Sequence, residues 1–420
     1  VRRLGERLHI ATMASDNLPV VVVGAGAAGL MATISAAQAG ARVVLLEGTR
    51  DGGRKILISG GGRCNVLPSA LDPGRFVTES SPNTLRRMLL SFPLEQQRAF
   101  FERDLNIPLV LEEQTGKLFP VSNRARDVRD GLVNQAKRQG ALVSFGSRLV
   151  SLERVPSGWR LETSGNGPLT ARSVVVATGG LSVPNTGSDG IGLDLVRALG
   201  HTVVNPYPAL TPLTGNSAFH QELAGVSLHS SLSAQANRFE TTGGFLFTHR
   251  GYSGPAVLDI SHLAARARLR DEPLPRLTVN WCALGQEEWN GMLQQRTAAT
   301  VVSIIRRHLP ARLGEGILVE AGLEPLLPIS QLPREARLRL VDLLVRYELP
   351  WTGDEGYRKA EVTGGGVALS EVHPTTLESR RCPGLFLCGE MLDAFGPIGG
   401  HNFAWAWSTG RAAGIAAARV

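Results

Sequence analysis

Four consecutive valines, Val20 to Val23, are followed at once by Gly24, Gly26 and Gly29. An unbroken apolar run bounded by glycine reads as a strand buried on both faces. The stretch Ala27 to Ala39 that follows is small and apolar and stops at Gly40, which predicts a helix. Ala41 to Leu46 is a second apolar strand, with Glu47 at its end. Further on, 83–104 and 127–139 read as helical, the latter with Val128, Leu132 and Ala136 at four-residue spacing. Leu118 to Pro120 is a short extended piece and Ala141 to Phe145 a strand. Trp159 to Thr163 alternates as a hairpin strand does, with a turn at Ser164 to Pro168. Ser173 to Ala177 is a buried strand closed by Thr178, Gly179 and Gly180.

The pattern then changes. From Thr202 to Val279 come short, Thr-rich and Ser-rich alternating pieces broken by Gly and Pro, which read as antiparallel strands. From Gly285 to Asp342 the period turns helical. After Glu361 a β pattern returns, a strand runs from Gly384 to Glu390, and a Gly-rich turn leads into a final helix over 399–419. The order predicts an α/β fold: residues 18–195 and 361–420 form a nucleotide domain in two parts. An inserted β region covers 196–284 and 343–360, and a helical insert lies at 285–342. Residues 1–17 are charged, lack a long apolar run and read as a leader without a role in the fold.

Composition narrows the function. The 420 residues suffice for two or three domains. No run of 18 apolar residues offers a membrane span. Cys64, Cys282, Cys382 and Cys388 show no CxxC spacing, so neither a disulfide framework nor a metal site is expected, and a reducing cytoplasm fits. The net charge is +7, but the arginines are scattered and no aromatic-interleaved basic stripe is visible. A small-molecule substrate is therefore expected, and nucleic acid is not. Oligomeric state is not legible.

The chemistry lies in the glycines. Gly24 permits a sharp turn off the first strand, Gly26 lets backbone approach a pyrophosphate, and Gly29 lets the helix pack close to the sheet. The helix start, with Ala27 and Ala28 in its first turn, points free N–H groups and a positive end at the phosphates. Glu47 is placed to accept both hydroxyl hydrogens of a ribose. The single GxGxxG lies near the N-terminus, and a second Gly-acid pair, Gly389 and Glu390, lies near the C-terminus. Together they favour FAD over a nicotinamide cofactor, with NAD(P)H as a transient electron donor. Glu390, then Asp393, is the expected acceptor for the ribityl hydroxyls. In the loop from Gly53 to Asn65, Arg54, Lys55 and Arg63 are expected to neutralise the pyrophosphate or an anionic substrate. Between Ser59 and Asn65 the run Gly60, Gly61, Gly62 lets backbone touch the flavin, Thr178 and Gly179 fit the same pocket, and Cys64 and Cys388 read as small apolar fillers near it. The turn Gly400, His401, Asn402 starts a helix expected to aim at the flavin's pyrimidine edge. His401, titrating near neutrality, is the first candidate for proton transfer. Tyr252 is the second, with His249 beside it.

Several long segments carry a resemblance. Gly53 to Asn65 (GRKILISGGGRCN) is similar to the signature of the BaiN/YhiN-like bacterial flavoproteins, also labelled the aminoacetone oxidase family. So are GKLFPVS at 116–122, VATGGLSVPNTGSDGIG at 176–192, LFTHRGYSGPAVL at 246–258, AEVTGGGV at 360–367 and GLFLCGEMLD at 384–393. The resemblance spans residues 20 to 415. It implies a glutathione-reductase-like Rossmann FAD domain with an inserted antiparallel β-barrel domain and a small helical insert. It also implies non-covalent FAD held by Gly24, Gly26, Gly29, Glu47, the 59–65 loop, Thr178, Gly179 and the 389–403 segment. His401 and the 393–398 segment depart from the family pattern, so substrate choice does not carry over. The expected activity is hydride transfer between flavin and a small organic substrate, as an NAD(P)H-linked reductase. The alternatives are an oxidase of a small amine, or a flavoprotein that acts on RNA or has a regulatory role.

Overall fold

The computed structural model describes residues 18–165, 167–295 and 297–420. The leader expected over 1–17 lies outside them. The chain forms two compact units, Val1–Pro206 with Val362–Val420, and Tyr207–Glu361.

The first unit is built on a five-stranded parallel sheet. Its strands are β1 (Val20–Val23), β2 (Val43–Glu47), β3 (Leu142–Phe145), β4 (Ser173–Val176) and β5 (Leu385–Leu387). They lie in the order β5-β4-β1-β2-β3, so the C-terminal strand completes a sheet begun near the N-terminus. Val20 pairs with both Ser173 and Val43, and Val174 pairs with Leu385. Helices of this unit include α1 (Ala27–Gln38), α2 (Arg54–Ile58), α3 (Pro82–Leu89), α4 (Ala125–Arg138) and α5 (His401–Ala417). α1 packs against both α4 and α5. It is apolar nearly all round, as a helix enclosed on several sides must be. Its contact with α5 is close because α5 presents glycine: a Cβ on Gly410 would stand 2.3 Å from the Ala28 carbonyl oxygen, and one on Gly414 would stand 2.2 Å from that of Ala32. The antiparallel meander Leu149–Val155, Gly158–Thr163 and Leu169–Ala171 adds Trp159 and Leu161 to the same core.

The chain leaves this unit after Pro206, not at 195 as the composition shift implied. The helix Ile191–Ala198 buries Leu193 and Val196 in the first unit's core.

The second unit is a seven-stranded antiparallel sheet. Its edge strands are Tyr347–Glu348 and Trp351–Asp354. Only Leu349 and Pro350 separate those edges along the chain. A two-residue link spans at most about 10 Å, so the sheet curls until its edges nearly meet. The region read as continuous strands contains a helix, Pro255–Leu269, whose Ala256, Val257 and Ile260 are buried. Pro255 stands at its first position after Gly254, a start signal that the surrounding β pattern masked. The 285–342 segment is helical, but it is not a separate body. Trp289, Val301, Ile305, Leu313 and Leu340 share one core with Leu213, Leu232 and Phe245 of the strands.

Candidate functional site

The turn from β1 to α1 separates three glycine roles. Gly24 sits at φ +101°, and a Cβ there would lie 2.5 Å from the Ala177 carbonyl oxygen. On Gly29 a Cβ would lie 1.8 Å from the Gly24 oxygen, so helix and turn touch backbone to backbone. At Gly26 no heavy atom lies within 4 Å of where a Cβ would stand. That position faces open space at the start of α1. The helix has no side-chain cap and no acid in its first turn. A bare helix start beside open space suits an anion. Ala27 is half-buried and Ala28 buried, against Gly389.

Glu47 closes the turn. Its two carboxylate oxygens accept the Ala25 and Thr49 N–H groups, each at 2.7 Å. A carboxylate offers about four acceptor positions, so this leaves room for hydroxyl donors. Gly53 N–H donates to the Ala25 carbonyl at 2.8 Å, bringing the second Gly-rich loop against the first. The 184–187 segment approaches from the other side: Arg54 donates to the Asn185 carbonyl at 3.4 Å and pairs with Asp51 at 2.8 Å.

Lys55 and Glu390 do not act separately. Lys55 Nζ lies 2.6 Å from Glu390 Oε2 and 2.6 Å from Ser182 Oγ. Glu390 Oε1 accepts Ser182 Oγ at 2.6 Å, Thr363 N at 3.1 Å and Thr363 Oγ1 at 3.0 Å. This network ties α2, the loop after β4, the strand Val362–Val367 and the end of β5 into one rim. Lys55 is thus paired with an acid rather than standing as an isolated cation. Ser182 and Thr363 were not singled out as site residues. Their only signal was membership of the 176–192 and 360–367 segments. Gly179, at φ +75°, lies on this rim, 3.9 Å from Glu390 Oε2 by its would-be Cβ. The neighbouring Thr178 Oγ1 is buried without a partner.

Asp393 has another role than ribityl acceptor. It is 1% exposed, and its Oδ2 accepts Ser80 Oγ at 2.8 Å, Glu79 N at 3.0 Å and Thr78 Oγ1 at 3.2 Å. It pins the 78–80 segment. Burial raises its pKa to about 6 against the pull of those donors.

The 59–65 loop runs through left-handed backbone at Gly60, Gly61, Gly62 and Cys64. Around Gly61 no atom lies within 4 Å of a would-be Cβ, the same open character as Gly26. Ser59 Oγ is tied back to the Ile56 carbonyl at 2.8 Å, and Asn65 is half-buried. Arg63 pairs with Glu112 at 2.9 Å and lies over the Phe119 ring at 4.0 Å. Cys64 and Cys388 are buried, which pushes each thiol up to about 12, so both act as apolar filler.

At α5, Gly400 sits at φ +95°, where a Cβ would meet the Leu67 carbonyl carbon at 2.6 Å. Asn402 turns inward: its amide donates to the Gly396 carbonyl at 2.9 Å and accepts Gly396 N–H at 2.8 Å. It holds the 396–397 loop rather than offering its side chain to a ligand. His401 is 5% exposed, against Phe76 at 6.0 Å between ring centroids. Burial, aided by Arg75, lowers its pKa to about 4, so it does not titrate near neutrality as expected.

Tyr252 belongs elsewhere. It is fully buried in the second unit's core, with its hydroxyl 2.7 Å from His220 Nδ1 and Phe245 and Phe247 around it. Burial raises its pKa far above the usual tyrosine value. Tyr252 is thus a core residue, while His249 is exposed on a turn.

The first unit thus brings together a bare α1 start, open backbone at Gly26 and Gly61, a carboxylate with acceptor positions to spare at Glu47 and a second uncapped helix start at α5. These fit the anionic, hydroxyl-bearing and carbonyl-bearing parts of FAD. The HI0933-like protein Rossmann domain matches residues 18–416. A ribosomal RNA dihydrouridine synthase of Escherichia coli is 33% identical over 94% of this chain and 96% of its own length. A 3-dehydro-bile acid delta(4,6)-reductase of Clostridium scindens is 32% identical over 94% of this chain and 98% of its own. A 3-ketosteroid delta1-dehydrogenase of Sterolibacterium denitrificans shares the fold, with a TM-score of 0.54 at 12% identity, covering 96% of this chain and 99% of that one. The chain belongs to the HI0933-like Rossmann family of FAD-dependent oxidoreductases.

Proposed function

We propose that this protein is an FAD-dependent reductase of a carbon–carbon double bond conjugated to a carbonyl, with NAD(P)H as the electron source. The observation that carries the reading is a chemistry shared by two relatives whose named substrates are otherwise unlike. Dihydrouridine differs from uridine by two hydrogens across a ring double bond beside a carbonyl. A delta(4,6) 3-oxo steroid carries its double bonds in conjugation with the ketone. Both names describe the same addition, a hydride to the far carbon and a proton to the near one.

Bound FAD would supply the two-electron carrier between nicotinamide and substrate. The chain's own residues have simpler tasks. The α1 start and Gly26 would hold the pyrophosphate, and Glu47 the ribose hydroxyls. The Lys55–Glu390–Ser182–Thr363 rim would hold the middle of the cofactor in one place. The proton that completes the reduction balances the hydride and can come from water.

Uracil in ribosomal RNA is the favoured substrate. The Tyr207–Glu361 unit carries 16 basic and 16 acidic residues, whereas the other unit carries 28 and 21, the whole excess of +7. That excess lies in the unit that holds the candidate flavin site, where a polyanion would need to be held. A free enone is the second reading, favoured by the bile-acid reductase relative. Purified holoenzyme is reduced anaerobically with NADPH or NADH and offered ribosomal RNA lacking dihydrouridine, or a steroid enone. Flavin reoxidation with dihydrouridine detected by mass spectrometry supports the first substrate, and enone loss supports the second. Peroxide release with neither product, from an amine donor, would overturn the reductase reading in favour of an oxidase.

A further inference from the structure

A short antiparallel sheet in the first unit joins Leu67–Pro68, Lys117–Pro120 and Leu109–Glu112. Lys117 and Phe119 are two residues apart, so both leave their strand on one face. Their side chains meet different halves of the candidate site. The Phe119 ring lies 3.0 Å from where a Cβ on Gly60 would stand, in the 59–65 loop. The Lys117 stem runs along Gly399, with Cγ, Cδ and Cε 3.6, 4.0 and 3.3 Å from a would-be Cβ there, in the turn that leads into α5. Lys117 thus stands where the Gly60–Gly62 loop and the Gly399–Gly400 turn converge, two stretches of backbone that carry no side chains of their own.

Its charge has no fixed partner. Glu112 lies directly across from Lys117 in the sheet register, where opposite charges ordinarily pair. That carboxylate is taken by Arg63 at 2.9 Å and by Thr115 Oγ1 at 2.5 Å. Two cations therefore share one acid. The one left over is Lys117, whose Nζ makes no hydrogen bond or ion pair with any described residue. The side chain is half-buried, and its ammonium is not sealed off by protein atoms. Withdrawing an ammonium even partly from water is unfavourable unless a counter-charge offsets it. A reachable, partly desolvated cation without an acid of its own suits a partner whose negative charge comes and goes.

A flavin ring is such a partner. A hydride brings it two electrons and one proton, so the ring gains one negative charge, and passing hydride on to substrate removes that charge. We propose that Lys117 is the counter-charge of the reduced flavin ring, favouring it over the oxidised ring while keeping its own proton throughout. This rests on the flavin reading above, which assigns the two flanking backbone segments to the cofactor. A cation fixed where charge develops stabilises it, and so raises the cofactor's midpoint potential.

Three variants test the assignment. Lys117→Met keeps a stem against Gly399 and removes the charge, Lys117→Arg keeps the charge, and Lys137→Met removes one positive charge from the exposed end of α4. Affinity for oxidised FAD is measured first, then the two-electron midpoint potential of each holoprotein against a reference dye at one pH and salt concentration. Lys117→Met is expected to bind oxidised FAD within threefold of wild type, because that ring is neutral. Its equilibrium constant for reduction is expected to fall at least tenfold, about 30 mV for a two-electron couple. Lys117→Arg is expected to stay within threefold of wild type in both measurements, and so is Lys137→Met. A fall of less than tenfold in Lys117→Met overturns the proposal, as does an equal fall in Lys117→Arg or Lys137→Met. Loss of oxidised FAD from Lys117→Met also overturns it, since that would mark a packing role. Wild-type protein that takes up no FAD is a distinct result, which retires the cofactor reading and this inference with it.

Discussion

At the scale of single residues, the glycines of one short turn have separable roles. Gly26 has ordinary negative φ and empty space where a side chain would go. Gly26→Val is therefore expected to fold, with an apoprotein thermal midpoint within about 2 °C of wild type. It should also lose FAD, because the valine fills the space a pyrophosphate needs. Absorbance near 450 nm after FAD titration and gel filtration checks this, and a variant that stays yellow contradicts the site. The glycine and Glu47 roles were legible in sequence because the β-α-β unit is local. The partnership of Lys55 with Glu390 was not, since 335 positions separate them and no pattern in a single chain marks their contact. Nor were Asn402, Asp393 and His401 legible in their observed roles. Their residue types suggested polar chemistry at a ligand, and burial decided otherwise for the first two and removed the titration of the third. Tyr252 was misplaced for the same reason: alternation names a strand but not which face meets the core.

Among elements, α1 and α5 form the scaffold on which both helix starts depend. Their axes come close because Gly410 and Gly414, four apart on α5, lie on the Ala28 and Ala32 carbonyls of α1. That spacing was in the sequence, but the final helix read only as apolar. Its partner could be named only once β5 was seen to join β4 beside β1. A methyl on Gly414 cannot be absorbed by a rotamer change, because it meets backbone. Gly414→Ala is expected to destabilise the first unit by about 1–3 kcal/mol and to weaken FAD binding as both helix starts shift. A denaturant midpoint with and without FAD measures it. The helix Pro255–Leu269 shows the converse limit. Its Gly254-Pro255 start was a readable signal, and the Thr-rich and Ser-rich strands around it outweighed that signal.

For the molecule as a whole, two consequences follow from where charge is kept out and where it collects. Burial lowers His220, His262 and His401 each to about 4. Their unfolded value is near 6.5, so between pH 6.5 and 4 the unfolded chain binds more protons than the native one. Native stability is therefore lost as pH falls through that window, by roughly 2–3 kcal/mol per histidine. Asp393, raised to about 6, opposes this, because its protonation favours the native state as pH falls below 6. The three histidines outweigh the one acid, so the thermal midpoint is expected to drop from pH 7 to 5. The drop should be smaller in His220→Phe, and scanning calorimetry across that range checks both. The second consequence concerns RNA. With Tyr207–Glu361 neutral overall and the net charge of +7 carried by the rest of the chain, the ionic contacts to a ribosomal RNA substrate are expected chiefly outside Tyr207–Glu361. Exposed arginines close the end of α3, Arg86 and Arg87, while Leu85, Met88 and Leu89 of the same helix are buried. The two can change charge without disturbing the core. If they touch phosphate, Arg86→Gln with Arg87→Gln should flatten the plot of log affinity for ribosomal RNA against log salt by about one to two slope units. Reduction of a free enone should stay within twofold, since a small substrate needs no backbone grip. RNA affinity indifferent to salt in the wild-type protein would remove ribosomal RNA as the substrate and leave the enone.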